Sequence, residues 1–162
     1  MNFIEQITMW GKGDISQGKW MMGISIFVVL PLLFFLIKNG GSLQKGMVLP
    51  LGFLVLVNLG YAGFILSSKP KYSAEIEKLY QENPSQTFSR EYEKMKDFDR
   101  SYMLTKYLWA ALLMASVIGF FSVSKEYFQG VTIGLALMFF GLLLVDVFLH
   151  NRLKLCLAAL ST

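Results

Sequence analysis

The sequence contains a single cysteine, Cys156, and a single histidine, His150. One cysteine excludes an internal disulfide and any cysteine-based metal cage. One imidazole excludes a bis-histidine haem within one chain. Phosphate-loop, zinc-protease, hydrolase-elbow and dinucleotide-binding signatures are all absent. Charge is scarce, at 16% of residues, and most of it is gathered in one place. The net charge of +4 does not point to nucleic acid, because no Lys/Arg run is interleaved with exposed aromatics. The start, MNFIEQITMWGKGD, has no basic n-region and no small-residue cleavage site, so it does not read as a cleaved signal peptide.

What remains is apolar. Of 162 residues 54% are hydrophobic and 15% aromatic, and the mean hydropathy is +0.50. A spanning helix needs about 20 predominantly apolar residues. Four windows approach that length: 20–37, 47–66, 107–123 and 131–148. They are apolar all round, whereas the helices of a soluble bundle alternate apolar and polar faces. The expected fold is therefore an all-α integral membrane protein, a single four-span domain built from two hairpins.

The only long polar run, 67–106, separates the hairpins and holds eight of the 15 Lys and Arg and seven of the 11 Asp and Glu. Within it Tyr72, Ile76, Leu79 and Tyr80, then Phe88, Tyr92, Met95 and Tyr102, recur at helical spacing. Asn83-Pro84-Ser85-Gln86 reads as a helix start, with Asn83 as N-cap, Pro84 in the first turn and Gln86 returning a capping bond. The run is expected to form two helices, the second continuous with the third span. Phe3, Ile7 and Trp10 make one face of a short helix over 2–10, broken by Gly11 and Gly13 and lying in the headgroup plane. The tail 149–162 is too short to cross again and is expected along the membrane surface. Pro31 must disturb the first span; Pro50 falls in the first turn of the second, where its missing N–H costs nothing.

Basic residues stay on the cytosolic side of a membrane. The start, the long run and the tail carry two, eight and two Lys/Arg, and the two short turns carry three between them. Both termini and the insertion 67–106 are thus expected inside, in a cell membrane read as the bacterial inner membrane.

Polar groups within spans are the default candidates for function, because lipid penalises them. Asn58 lies near the middle of the second span with Tyr61 almost a turn closer to the cytosol, and Ser25 lies in the inner half of the first. Asp146 is the only acid inside a span, and His150 follows at i+4 on the same face. The pair reads as a proton relay, half a metal site or a cation site. Its bland counterpart is a boundary carboxylate paired with Arg100, Lys106 or Arg152. Two ligands fall short of a metal site, so no metal or other cofactor is expected. All these groups fall at or inside the midplane, and the outer halves are greasy, which counts against a solute path within one protomer. Small residues mark helix contacts, within or between chains: Ala111, Ala115 and Gly119 at four-residue spacing; Gly52, Gly60 and Gly63; Gly134 and Gly141.

The function expected first is non-enzymatic: assembly or protein interaction through the cytosolic helices, as an oligomeric effector, scaffold or immunity-type partner. A small channel or transporter, formed by oligomerisation or around Asn58, Asp146 and His150, comes second, and a membrane enzyme acting on lipid from the cytosolic side third. The expected partners are the bilayer, a second copy, and a cytosolic protein through 67–106.

Overall fold

The computed structural model describes residues 3–160; positions 1, 2, 161 and 162, which end the expected helix 2–10 and tail 149–162, lie outside the described residues. The described chain is all-α. Helix α1 (Phe3–Ile24) passes through a π-helical turn (Ser25–Val29) into α2 (Leu30–Asn39), making one rod. Then come α3 (Ser42–Glu82), α4 (Pro84–Ser122) and α5 (Glu126–Leu160). All four rods are long and apolar enough to cross a membrane. At 1.5 Å per residue α3, with 41 residues, is about 60 Å long, twice the roughly 30 Å hydrocarbon thickness of a bilayer. Each rod therefore has an apolar half and a polar half. The polar halves meet at the end that carries Phe3, Leu160 and the Asn83 turn.

Local chemistry explains the joints. Asn83 Oδ1 accepts from the Gln86 N–H at 3.3 Å, and Asn83 Nδ2 donates to Gln86 Oε1 at 3.1 Å, so the expected cap is present. One residue therefore suffices to reverse the chain between α3 and α4. Pro31 has no N–H to give and crowds the carbonyl of Phe27. The rod absorbs this by widening just before it: the Leu30 N–H bonds to the Ser25 carbonyl five residues back. Pro50 is not in a first turn as the sequence suggests. Because α3 begins at Ser42, Pro50 stands inside the helix, where it is buried against α5 near Gly134.

Two expectations at the chain ends are corrected. Gly11 and Gly13 do not break α1, and the face of Phe3, Ile7 and Trp10 is covered by protein. The glycines instead let α1 approach its neighbours: a Cβ at Gly11 would stand 3.0 Å from Ser73 Oγ, and one at Gly13 3.0 Å from Arg152 Cδ. The tail likewise continues α5 unbroken to Leu160, with Leu153 and Cys156 in the core. The polar half is thus a four-helix bundle around Phe3, Ile7, Trp10, Ile76, Met95, Leu153 and Cys156. Phe3 packs on Tyr80 and Phe88, with ring centroids 5.0 and 5.3 Å apart, joining α1 to the turn region of α3 and α4.

The apolar half is built differently. Its core takes Leu33 and Leu36 from α2, Leu51, Leu54 and Val55 from α3, and Met138 and Leu142 from α5. Helices α3 and α5 cross most closely at Gly46 and Gly130, where a Cβ on Gly130 would overlap the Leu43 carbonyl oxygen. Gly134 and Gly141 continue that contact against Met47 and Leu54. The other small-residue faces differ from expectation. Nothing stands within 4 Å of a Cβ at Gly52, Gly60 or Gly63. Ala111 and Ala115 are exposed, and only Gly119 in that stripe nears a neighbour, Thr132 of α5.

Candidate functional site

Where the two halves meet, the helices enclose a chamber of about 340 Å³. Helical spacing brings its polar groups together. Helix α3 supplies Asn58 and Tyr61, α4 supplies Ser101, Tyr102, Thr105 and Trp109, and α5 supplies Asp146. Phe98, Met21, Val57, Leu142 and Val145 complete the wall. The rim includes exposed Phe98 and Ser101, on the seam where α3 and α4 pack on one another only sparsely.

Asp146 does not pair with His150, although both stand on one face of α5. Its Oδ2 accepts from Trp109 Nε1 at 2.8 Å. No Lys, Arg or His nitrogen lies within ion-pair distance of it among the described residues. Of the three basic partners suggested by the sequence, Lys106 acts on Asp146 only through space, Arg152 donates to the Gly13 carbonyl, and Arg100 is exposed.

His150 is fully buried in a separate chain of bonds. Its Nδ1 is 2.5 Å from Lys106 Nζ and its Nε2 is 2.6 Å from Asp99 Oδ1. An ammonium can only donate, so the network assigns Nδ1 as acceptor and Nε2–H as donor to Asp99. Lys106 and Asp99 thereby balance each other across a neutral imidazole. Tyr102 stacks on that ring at 5.7 Å and also lines the chamber, which links the two groups. Burial pushes the Tyr102 phenol well above its usual range, so it stays protonated. Among the described residues no three His, Cys, Asp or Glu side chains converge as metal ligands.

Asn58 is buried with its Oδ1 unbonded. With Met21 and Val145 it lines both the chamber and a second cavity of about 400 Å³ between α1 and α5. That slot is almost wholly apolar and opens past exposed Trp20, Ile24 and Phe148. Gln17 lines it too, donating from Nε2 to the Val145 carbonyl at 3.0 Å and leaving Oε1 unbonded. Ser25, at the π turn, is buried with a free Oγ. Buried acceptors without partners are uncommon, and two of these, Asn58 Oδ1 and Gln17 Oε1, belong to residues that line the slot.

A third group lies below the slot. Lys69 Nζ is 2.7 Å from Asp14 Oδ2 and sits 3.5 Å from the centroid of the Trp10 ring. Desolvation raises the Asp14 carboxyl above its ordinary range, and the charges of Lys69 and Arg152 oppose that shift.

The sequence pattern did not single out Asp14, Gln17, Lys69, Tyr102 or Trp109 as site residues. A signal for the first two exists: Phe3, Ile7, Trp10, Asp14, Gln17 and Met21 follow one unbroken 4-3 spacing, the mark of a continuous buried face. The chain matches no protein-family model, no curated protein and no solved structure.

Proposed function

We propose that this is a four-span integral membrane protein that binds a small amphiphilic molecule in the chamber at its inner boundary. The spans are read as 20–37, 47–66, 107–123 and 131–148, with the polar half, both termini and the 67–106 insertion in the cytosol of a bacterial cell. The 12-to-3 excess of Lys and Arg at the polar end supports that orientation. A test replaces Cys156 by Ala and then places one cysteine at Ser85 or Gly41. Impermeant thiol reagents should label the Gly41 position in intact cells and spare Ser85; the opposite pattern overturns the orientation.

The observation that carries the binding reading is convergence. Asn58, Tyr61 and Asp146, chosen as polar residues inside apolar windows, line one cavity with Tyr102 and Trp109. Its volume falls in the range of about 300–1,000 Å³ typical of small-molecule sites. The outer half of the bundle offers no matching polar path, which favours holding a ligand over conducting it. Native mass spectrometry of the protein ejected from nanodiscs should show a retained small molecule. Thr105→Trp, which fills the rim, should remove it. Identical spectra for both proteins would end this reading.

Assembly remains a second reading, favoured by α4. Only 6% of its most apolar stretch is buried, against 39% for α3, and Ala111 and Ala115 face outward. A second copy would meet that face. A cytosolic partner would meet the charged surface of 67–106 together with exposed Phe98, Met103 and Leu104, since Ile76 and Met95 are taken up by the chain's own core.

A further inference from the structure

We infer that the chamber is a site for an organic cation, an alkylammonium head held by Asp146 between aromatic walls. This rests on the chamber being a ligand site, as proposed above. Among the described residues Asp146 is the only charged side chain lining it, so no charge there attracts an anion. The nearest ammonium, Lys106, is engaged by His150, and its charge is matched by Asp99. Asp146 is left with one hydrogen bond, from Trp109 to Oδ2, and no ion pair among the described residues. A carboxylate so placed calls for a positive charge from outside the chain.

The walls decide which positive charge. Tyr61, Phe98, Tyr102 and Trp109 supply four aromatic rings. Ring faces attract cations, and aromatic cages suit ammonium groups that carry carbon. A hard metal ion would need six or more oxygen ligands, which one carboxylate among aromatics does not provide. Asn58 Oδ1, buried and unbonded at the back wall, is an acceptor for an N–H proton. The apolar slot beyond Met21, Asn58 and Val145 is where a hydrocarbon body fits.

The probe is benzyltrimethylammonium, and its neutral carbon isostere, neopentylbenzene, is the comparison. Equilibrium dialysis uses full-length protein in phosphatidylglycerol nanodiscs, with empty nanodiscs subtracted. The cation should bind at least about tenfold tighter than the isostere, and Asp146→Asn should bring the two within twofold of each other. Equal affinity for both on the unaltered protein, with Thr105→Trp removing both, overturns the cation inference and leaves a neutral ligand chamber. No specific binding of either, with Thr105→Trp also changing nothing, overturns the chamber reading itself. If Asp146→Asn does not fold, the comparison on the unaltered protein, extended to benzenesulfonate as the excluded anion, still decides. Repeating it in phosphatidylethanolamine nanodiscs identifies the natural source. Weaker binding there assigns the site to a lipid ammonium head, and unchanged binding assigns it to a free amine.

Discussion

The two halves of this bundle are packed on different principles. In the polar half all four rods give side chains to one core, and Met95 and Leu153 are sealed completely. In the apolar half three rods do so, and α4 contributes only the partly buried Trp109. On the proposed membrane reading, water explains the difference. Burying a Leu- or Met-sized side chain away from water stabilises by about 1.5–3 kcal/mol, so every rod gains by joining the polar core. In lipid that drive vanishes, and helices associate through close backbone approach instead. The apolar half shows that second mode where α3 and α5 cross at Gly46 and Gly130. The chamber lies at the junction, where the side-chain core ends and α4 departs from α3.

The sharpest way to break this comparison is at the crossing. Gly130→Leu should prevent the fold from forming, because even its Cβ overlaps the Leu43 backbone. Gly60→Leu, on the same kind of apolar rod but with open space around it, should shift stability by less than about 0.5 kcal/mol. Circular dichroism and thermal melting in mild detergent distinguish the two. Equal damage from both would mean that the crossing is not what holds α3 to α5.

The next effect compares burial across the halves. Leu153→Ala, in the polar core, should cost about 2–5 kcal/mol through the cavity it leaves. Phe121→Ala, at 82% exposure on α4, removes a larger side chain and should cost under about 0.5 kcal/mol in detergent. A Phe121→Ala loss as large as that of Leu153→Ala would show that another surface covers α4.

Much of this was legible in the sequence, and the gaps have physical causes. Four apolar windows and the Asn83-Pro84-Ser85-Gln86 cap are local signals, and both appear in the structure. The polar residues inside the apolar windows were also legible, because an apolar run makes any such residue conspicuous. What sequence alone obscured was where helices continue. Gly11 and Gly13 carry a low helix propensity, yet tertiary contact with Ser73 and Arg152 uses their smallness and keeps α1 intact. Once α1 is taken to stop at Trp10, Asp14 and Gln17 drop out of view. The partners of Asp146 and His150 were hidden for a related reason. Spacing on α5 puts the two on one face, but the choice between Trp109 and Lys106 depends on how α4 leans against it.

The smallest expected effect tests what α4 faces. Ala115 belongs to a stripe of three small residues at four-residue spacing, which favours helix contact, yet in the single chain it is exposed. A buried contact there would lose about 1–3 kcal/mol on Ala115→Phe through overpacking. For an outward-facing Ala115 the protomer should melt within about 0.5 kcal/mol of the unaltered protein. The informative measurement is then mass rather than stability. If a second copy docks on this face, light scattering in detergent should show a dimer for the unaltered protein and a monomer for Ala115→Phe. A shared monomeric mass leaves lipid as the cover and removes the assembly reading. A stability loss of the full overpacking size with no change in mass would break the comparison itself, since it would place α4 inside the apolar core after all.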